Sequence, residues 1–151
     1  MIRKALNKDL DKILILLNQV NLVHVNGRPD IFKKCSKYNK KELEIKIKNE
    51  PIFVYVNEND EVEGYIFGLI KETNATHMMY RKTFFIDDFC VDEAVRGKHI
   101  GHMLYDFVKK YAKENCCNSI TLNVWNFNEK AKSFYNSLGL LPLETTLEEI
   151  L

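Results

Sequence analysis

Charge of one sign is the first thing missing from this sequence. The 22 Lys+Arg nearly cancel the 21 Asp+Glu, so composition supplies no electrostatic case for a nucleic-acid partner or an anionic membrane. No apolar run approaches the length of a bilayer span. The opening residues Met1-Ile2-Arg3-Lys4-Ala5-Leu6 turn polar at once and carry no secretory h-region. Cysteine is sparse, and Cys35, Cys90, Cys116 and Cys117 lack zinc-ribbon spacing. Reduced thiols in a cytoplasmic protein are therefore expected. There is no internal repeat, low-complexity tract or linker, so residues 1–151 are read as one domain, long enough to bury a core.

What is present centres on residues 84–104. Phe84 to Val91 is rich in aromatic and β-branched residues, as a buried strand should be. From Ile100 the apolar period changes to three and four, with Met103, Leu104, Phe107, Val108, Tyr111 and Ala112 forming a helical stripe. Between strand and helix lies Arg96-Gly97-Lys98-His99-Ile100-Gly101. Such a turn aims unpaired backbone N–H groups at one point with a helix dipole behind them, a site for an anion and most naturally a phosphate. Glycines at Gly97 and Gly101 alone match neither G-x-G-x-x-G nor G-x-x-x-x-G-K-[ST], which sets aside the Rossmann and Walker nucleotide-binding readings.

The rest of the chain reads in order. Ile2 to Leu6 is a short strand, and Asn7 or Asp9 caps a helix carrying Leu10, Ile13, Leu14, Leu17 and Val20. That helix ends at Asn26-Gly27-Arg28-Pro29. His24, Arg28, Asp30 and Phe32 cluster there, either lining an acceptor site or forming a solvated loop. Asn39-Lys40-Lys41-Glu42 has the form of a capping box for a second helix that stops before Pro51. Ile52 to Val56 and Val62 to Ile70 make a hairpin, Lys82 to Val91 a central strand, and Ile120 to Trp125 a parallel partner reached through the intervening helix. Asn126 or Asn128 caps a short helix ending at Gly139, and Leu140 to Leu151 is expected to supply one or two terminal strands.

Residues 128–139 carry N-x-x-A-x-x-F-Y-x-x-x-G at Asn128, Ala131, Phe134, Tyr135 and Gly139. With the turn at 96–101, this resembles the GNAT superfamily of acyl-CoA-dependent N-acetyltransferases, closely from about Thr83 to Leu140 and loosely before. One departure is His99, which stands where the family has its middle glycine; a left-handed backbone there would be strained. The resemblance implies an α/β (α+β) fold, a mixed and mostly antiparallel sheet with two splayed central parallel strands flanked by helices. It also implies acetyl-CoA as co-substrate. The backbone of Phe89, Cys90 and Val91 would bond its pantetheine arm, and Arg96, Gly97, Lys98, His99, Ile100 and Gly101 would hold its pyrophosphate. Asn128 and Ala131 would complete the cofactor side.

Acetyl transfer to an amine needs deprotonation of the ammonium, stabilisation of an oxyanion and protonation of the leaving thiolate. By resemblance, Tyr135 is the general acid, and a backbone N–H near Cys90 or Val91 is the oxyanion donor. Asp87-Asp88-Phe89-Cys90-Val91 resembles the segment that in polyamine acetyltransferases places a base, acting through water, at Asp87. Strand alternation sends Asp87 and Asp88 to opposite faces, which leaves Asp88 a supporting role. His24, Arg28, Asp30 and Asp87 are the expected acceptor contacts. His99, His102, Cys116 and Cys117 are not read as a metal site, because the pairs lie at opposite ends of a helix spanning roughly 20 Å. The expected partner is a small primary amine, polyamine-like, with a homodimer allowed. The alternatives are a protein N-terminus or lysine as acceptor, or a non-catalytic acyl-CoA-binding module.

Overall fold

The computed structural model describes all residues, 1–151. Five strands form one sheet in the order β1-β2-β3-β4-β5. β1 (Ile2–Lys4), β2 (Ile52–Val56), β3 (Val62–Thr73) and β4 (Arg81–Val91) are antiparallel neighbours, whereas β4 and β5 (Ser119–Leu122) run parallel. The helices are α1 (Leu10–Gly27), α2 (Lys40–Asn49), α3 (Ile100–Glu114) and α4 (Glu129–Ser137). This is the expected mixed, mostly antiparallel sheet flanked by helices.

The sheet has a core on each face. On one, Ile13, Leu16 and Leu17 of α1 and Leu43 and Ile47 of α2 meet Ile52, Val54, Tyr65, Phe67 and Cys90. On the other, Ile100, Leu104, Tyr105, Val108 and Ala112 of α3 cover Phe53, Ile66, Phe84 and Ile86. The buried stripe of α3 is narrower than the sequence period suggests, since Met103 and Phe107 sit at its exposed margins. The capping box of α2 is present: Asn39 accepts from the Glu42 N–H at 2.9 Å, and Glu42 accepts from the Asn39 N–H at 2.8 Å. Asp9 precedes α1, but its side chain does not cap the helix. It is buried instead in a bidentate pair with Arg3, at 2.7 and 2.9 Å, and accepts from the Leu6 N–H.

The feature that positions the site is an irregularity between β3 and β4. Phe67 pairs with Asp88 and Gly68 with Ile86, so Asp87 is one residue too many. A single extra residue inverts the phase of a period-two strand. Phe84 and Ile86 accordingly point into the α3 core, whereas beyond the bulge it is Phe89 and Val91 that pack on the α3 side, and Cys90 enters the α1–α2 core. Asp87 and Asp88 therefore project to one face, correcting the expectation from strict alternation. Gly68 sits opposite the bulge and leaves room for the Phe84 ring, because a Cβ there would lie 1.9 Å from Phe84 Cζ.

The parallel pairing stops at Ile86 and Leu122. From Asp87 onward β4 keeps β3 on one edge and has no strand on the other, which is the expected splay. β5 is shorter than read from the sequence, because residues 123–125 diverge from β4. The terminal strands expected over Leu140–Leu151 do not form: Pro142 removes a ladder donor where pairing would begin, and residues 141–151 are all exposed. β5 is consequently an edge strand, so the parallel pair stands at the sheet margin.

Replacing Gly68 with Ala should force the Phe84 ring out of place and destabilise the protein by about 1–3 kcal/mol, the usual cost of overpacking. Denaturant unfolding measures this, and an unchanged midpoint would show that Phe84 yields without strain.

Candidate active site at the splayed strands

Three groups of residues converge where β4 parts from β5. The first is the turn leading into α3. Gly97 and His99 both adopt positive φ, 86° and 59°. The left-handed geometry that the sequence disfavours at His99 is thus the one adopted, and it turns the chain into the first residue of α3. No backbone N–H from Arg96 to His102 donates to an acceptor within the protein; the helical ladder starts with Met103 N–H to His99 O at 3.0 Å. Arg96 to His99 are exposed. Such a row of free donors at a helix start can bind an anion.

The second group is α4. Asn128 caps it by accepting from the Ala131 N–H at 3.2 Å, so these two polar groups engage each other. Phe134 packs over the start of α3, edge-on to His102 at 5.3 Å and to Phe89 at 5.7 Å. Gly101 is small for this contact, since a Cβ there would stand 2.9 Å from the Phe134 ring. The F-Y pair and the second glycine of the turn are therefore parts of one packing unit. Tyr135 follows, its ring 6.4 Å from Phe89. Its phenol is held above the ordinary range, first by burial and then by the nearby Asp88 charge, so it carries its proton at neutral pH.

The third group is built on the bulge. Asp88 is buried and accepts from the Tyr65 hydroxyl at 2.8 Å. Asp87 accepts from the Tyr38 hydroxyl, and Tyr38 stacks on Phe67. Lys37 bridges the two carboxylates at 3.3 and 3.4 Å and donates to the Asp87 carbonyl at 2.8 Å. Two carboxylates and one ammonium leave this face net negative. Burial raises the Asp88 pKa, and the Lys37 ammonium opposes that rise only in part. Burial likewise raises the Tyr38 and Tyr65 phenols, with the carboxylates adding to the effect. The Cys90 thiol is pushed up to about 12, again by burial. It stays protonated at neutral pH and offers no thiolate.

His24 belongs to this neighbourhood. Burial lowers its pKa, while the Asp88 and Lys37 charges act on it in opposite senses. Its ring stacks on Phe32 at 4.9 Å; Phe32 meets Trp125 edge-on at 5.1 Å, and Trp125 stacks on Phe127 at 6.1 Å. Phe127 also fills the place of the missing Gly27 side chain, with ring carbons 2.2–2.5 Å from an ideal Cβ. Arg28 and Asp30 instead pair with each other at 2.7 and 2.9 Å, and Arg28 also binds Glu148 of the tail at 2.7 Å. Their charges are spent on one another and on the tail. Arg96 Nε reaches the Val91 carbonyl at 3.3 Å, so that acceptor on the open edge of β4 already has a donor.

Sequence reasoning did not single out Lys37, Tyr38 or Tyr65. Gly68, an isolated glycine within a strand pattern, was the available signal for the bulge. Nothing distinguishes Lys37 from the other lysines of its loop.

Two substitutions test this geometry. His99→Gly should raise stability by up to about 1 kcal/mol, left-handed strain of roughly 1–2 being offset by the chain entropy of glycine; a lowered denaturation midpoint would show that the imidazole contributes more than the strain costs. For Asp88 the folded pKa lies above the unfolded one. Its contribution is thus most favourable below the unfolded pKa and is lost as pH rises through the folded value. Asp88→Asn removes that dependence, so its melting temperature relative to the parent should be higher at pH 7 than at pH 4. A difference that shrinks on going to pH 7 would mean that Lys37 and Tyr65 outweigh the burial and favour the ionised form of Asp88 in the fold.

Comparison with known proteins agrees with this architecture. The family model described as Acetyltransferase (GNAT) family matches residues 21–140. A point mutant of the BH1408 protein from Bacillus halodurans superposes with a TM-score of 0.97 at 32% identity, covering 100% of this chain and 99% of that one. An acetyltransferase of Trypanosoma brucei gives 0.72 at 18% identity over 100% and 99% of the two chains. Glucosamine-6-phosphate N-acetyltransferase from Arabidopsis thaliana gives 0.72 at 19% identity over 99% and 97%; at such identities the likeness is one of fold. Comparison with the curated proteins gives no match. The family match spans most of the chain and includes the turn, the splayed strands and α4: this protein belongs to the GNAT family of acetyltransferases.

Proposed function

We propose that the protein moves an acetyl group from acetyl-CoA directly to a primary amine within a ternary complex, and that Asp87 and Asp88 together hold the acceptor ammonium. The observation carrying this is the bulge, which turns both carboxylates to one face at the point where β4 loses its partner strand, with the Asp88 charge felt at the Tyr135 phenol. A face with two carboxylates suits a cation, in keeping with a small polyamine-like amine. A protein amine is the second acceptor class, and the exposed setting of Lys37 leaves that side of the site open to solvent.

The donor substrate fits the residues present. The free N–H groups from Arg96 through Gly97, Lys98, His99 and Ile100 to Gly101 suit a pyrophosphate, the basic side chains Arg96 and Lys98 adding charge complementarity. The unpaired edge of β4 at Phe89 suits the amide groups of the pantetheine arm, as Val91 does through its N–H side, while Cys90 between them turns its backbone to β3 and the Asn128–Ala131 cap fixes the α4 flank. Tyr135 protonates the departing thiolate, for which a phenol that keeps its proton is suited. Asp87 takes the ammonium proton, through water, while Asp88 stays in the Tyr65 hydrogen bond and orients the amine. His24 bounds the acceptor side, and Arg28 and Asp30 form its outer rim. A protonated Cys90 favours direct transfer over an acyl-cysteine intermediate.

The test is CoA release over a panel of primary amines. Tyr135→Phe should lower kcat by about 10²–10⁴-fold, the worth of one positioned general acid, with acetyl-CoA affinity by calorimetry nearly unchanged. Full turnover in that variant would return Tyr135 to a packing role. Absence of CoA release with every amine, despite acetyl-CoA binding, would favour the non-catalytic binding module.

A further inference from the structure

The carboxylate pair already holds an amine, and it belongs to the protein. Lys37 Nζ lies 3.3 Å from the Asp87 carboxylate, 3.4 Å from that of Asp88 and 2.8 Å from the Asp87 carbonyl. These are the groups expected to receive an acceptor ammonium. Lys37 comes from the loop between α1 and α2, and Tyr38, hydrogen-bonded to Asp87 and stacked on Phe67, fixes the chain beside it. A lysine used only as a surface counter-ion would gain little from this placement. Resting on the acetyltransferase function proposed above, the geometry points to Lys37 as an acceptor in its own right: we infer that the protein acetylates Lys37 in cis.

The step balances without a further reagent. The Lys37 ammonium gives a proton to the adjoining carboxylates and through them to water. The freed Nζ lone pair forms a bond to the thioester carbonyl carbon of acetyl-CoA. The C–S bond breaks with its electron pair leaving on sulfur, and sulfur takes a proton from the Tyr135 hydroxyl, which is refilled from solvent. The new amide nitrogen sheds its second proton to water. Lys37 ammonium and acetyl-CoA thus give Nζ-acetyl-Lys37, free CoA thiol and one proton. The product is neutral, so Asp87 and Asp88 lose their internal cation and are left for an external ammonium.

Cis transfer gains from proximity. Lys37 should be acetylated at least about 100-fold faster than freely exposed lysines such as Lys110, given the effective molarity of an oriented intramolecular amine. The experiment incubates the full chain with acetyl-CoA alone and follows acetylation by intact mass and peptide mapping. The expected result is one acetyl group on Lys37, added at a rate independent of protein concentration and slowed by excess external amine competing for the same seat. Lys37→Arg keeps the cation and should remove the modification while the remaining lysines react as before. Tyr135→Phe should slow modification of Lys37 but not of Lys110, which separates site chemistry from spontaneous acetylation. Equal labelling of Lys37 and Lys110, or a rate that falls on dilution, overturns the inference. So does an unlabelled Lys37. In that case CoA release with an external amine in the same preparation shows that the acetyltransferase function stands without it, and its absence shows that both fall.

Discussion

The site depends on one extra residue. Asp87 is inserted opposite the Phe67–Gly68 step, where the missing side chain of Gly68 leaves room for Phe84, and from that point the two faces of β4 exchange roles. Without the bulge, Asp87 would face the α1–α2 side alone and Asp88 would enter the α3 core behind Phe84 and Ile86. With it, two carboxylates share one ammonium, which also donates to the Asp87 carbonyl, and each accepts from one phenol. The same irregularity coincides with the end of β5 pairing, so the strand alters its phase where its edge becomes free. The acidic face made by the change in register thus lies beside the open edge.

The electrostatics follow from that placement. A buried carboxylate is costly unless its lone pairs are taken up, and Asp88 is met by the Tyr65 hydroxyl and the Lys37 ammonium. The opposite end of the sheet solves the same problem differently: Asp9 is held by a bidentate Arg3, whose guanidinium is in turn shared with Asp60. Lys8 also pairs with Asp60, so this cluster has two cations for two carboxylates, and it ties β1 to the start of α1 and the β2–β3 turn. The Lys37 cluster uses a single flexible ammonium for two carboxylates, an arrangement that another ammonium can replace at little cost.

Much of this was legible in the sequence. The change of period at Ile100, the capping box at Asn39 and the motif ending in Phe134-Tyr135 each state a local preference that the fold keeps. What was not legible depends on contacts between distant segments. Alternation assigns Asp87 and Asp88 to opposite faces because it presumes an unbroken register, and the break falls opposite Gly68 on another strand. Lys37 and Tyr38 lie in a lysine-rich loop whose residues look interchangeable until the chain is folded. His99 shows the converse case: local preference argued against a left-handed backbone, yet the turn into α3 imposes it. The tail was expected to supply terminal strands, but residues 141–151 stay exposed after Pro142 and leave the edge of β5 unpaired.

The aromatic chain His24–Phe32–Trp125–Phe127, seated against Gly27, joins the end of α1 to the segment after β5. Residues 123–127 lie in no strand or helix, and they contribute few backbone bonds beyond Trp125 O to the Asn128 N–H and Phe127 O to the Glu129 N–H. Side-chain packing and backbone pairing are therefore decoupled along this lip of the cleft. Amide hydrogens there are open to exchange with solvent without any unfolding, even while the rings keep the lip in place. A bound chain passing along the free edge of β4 could take up those amides directly, with no native hydrogen bond to break first.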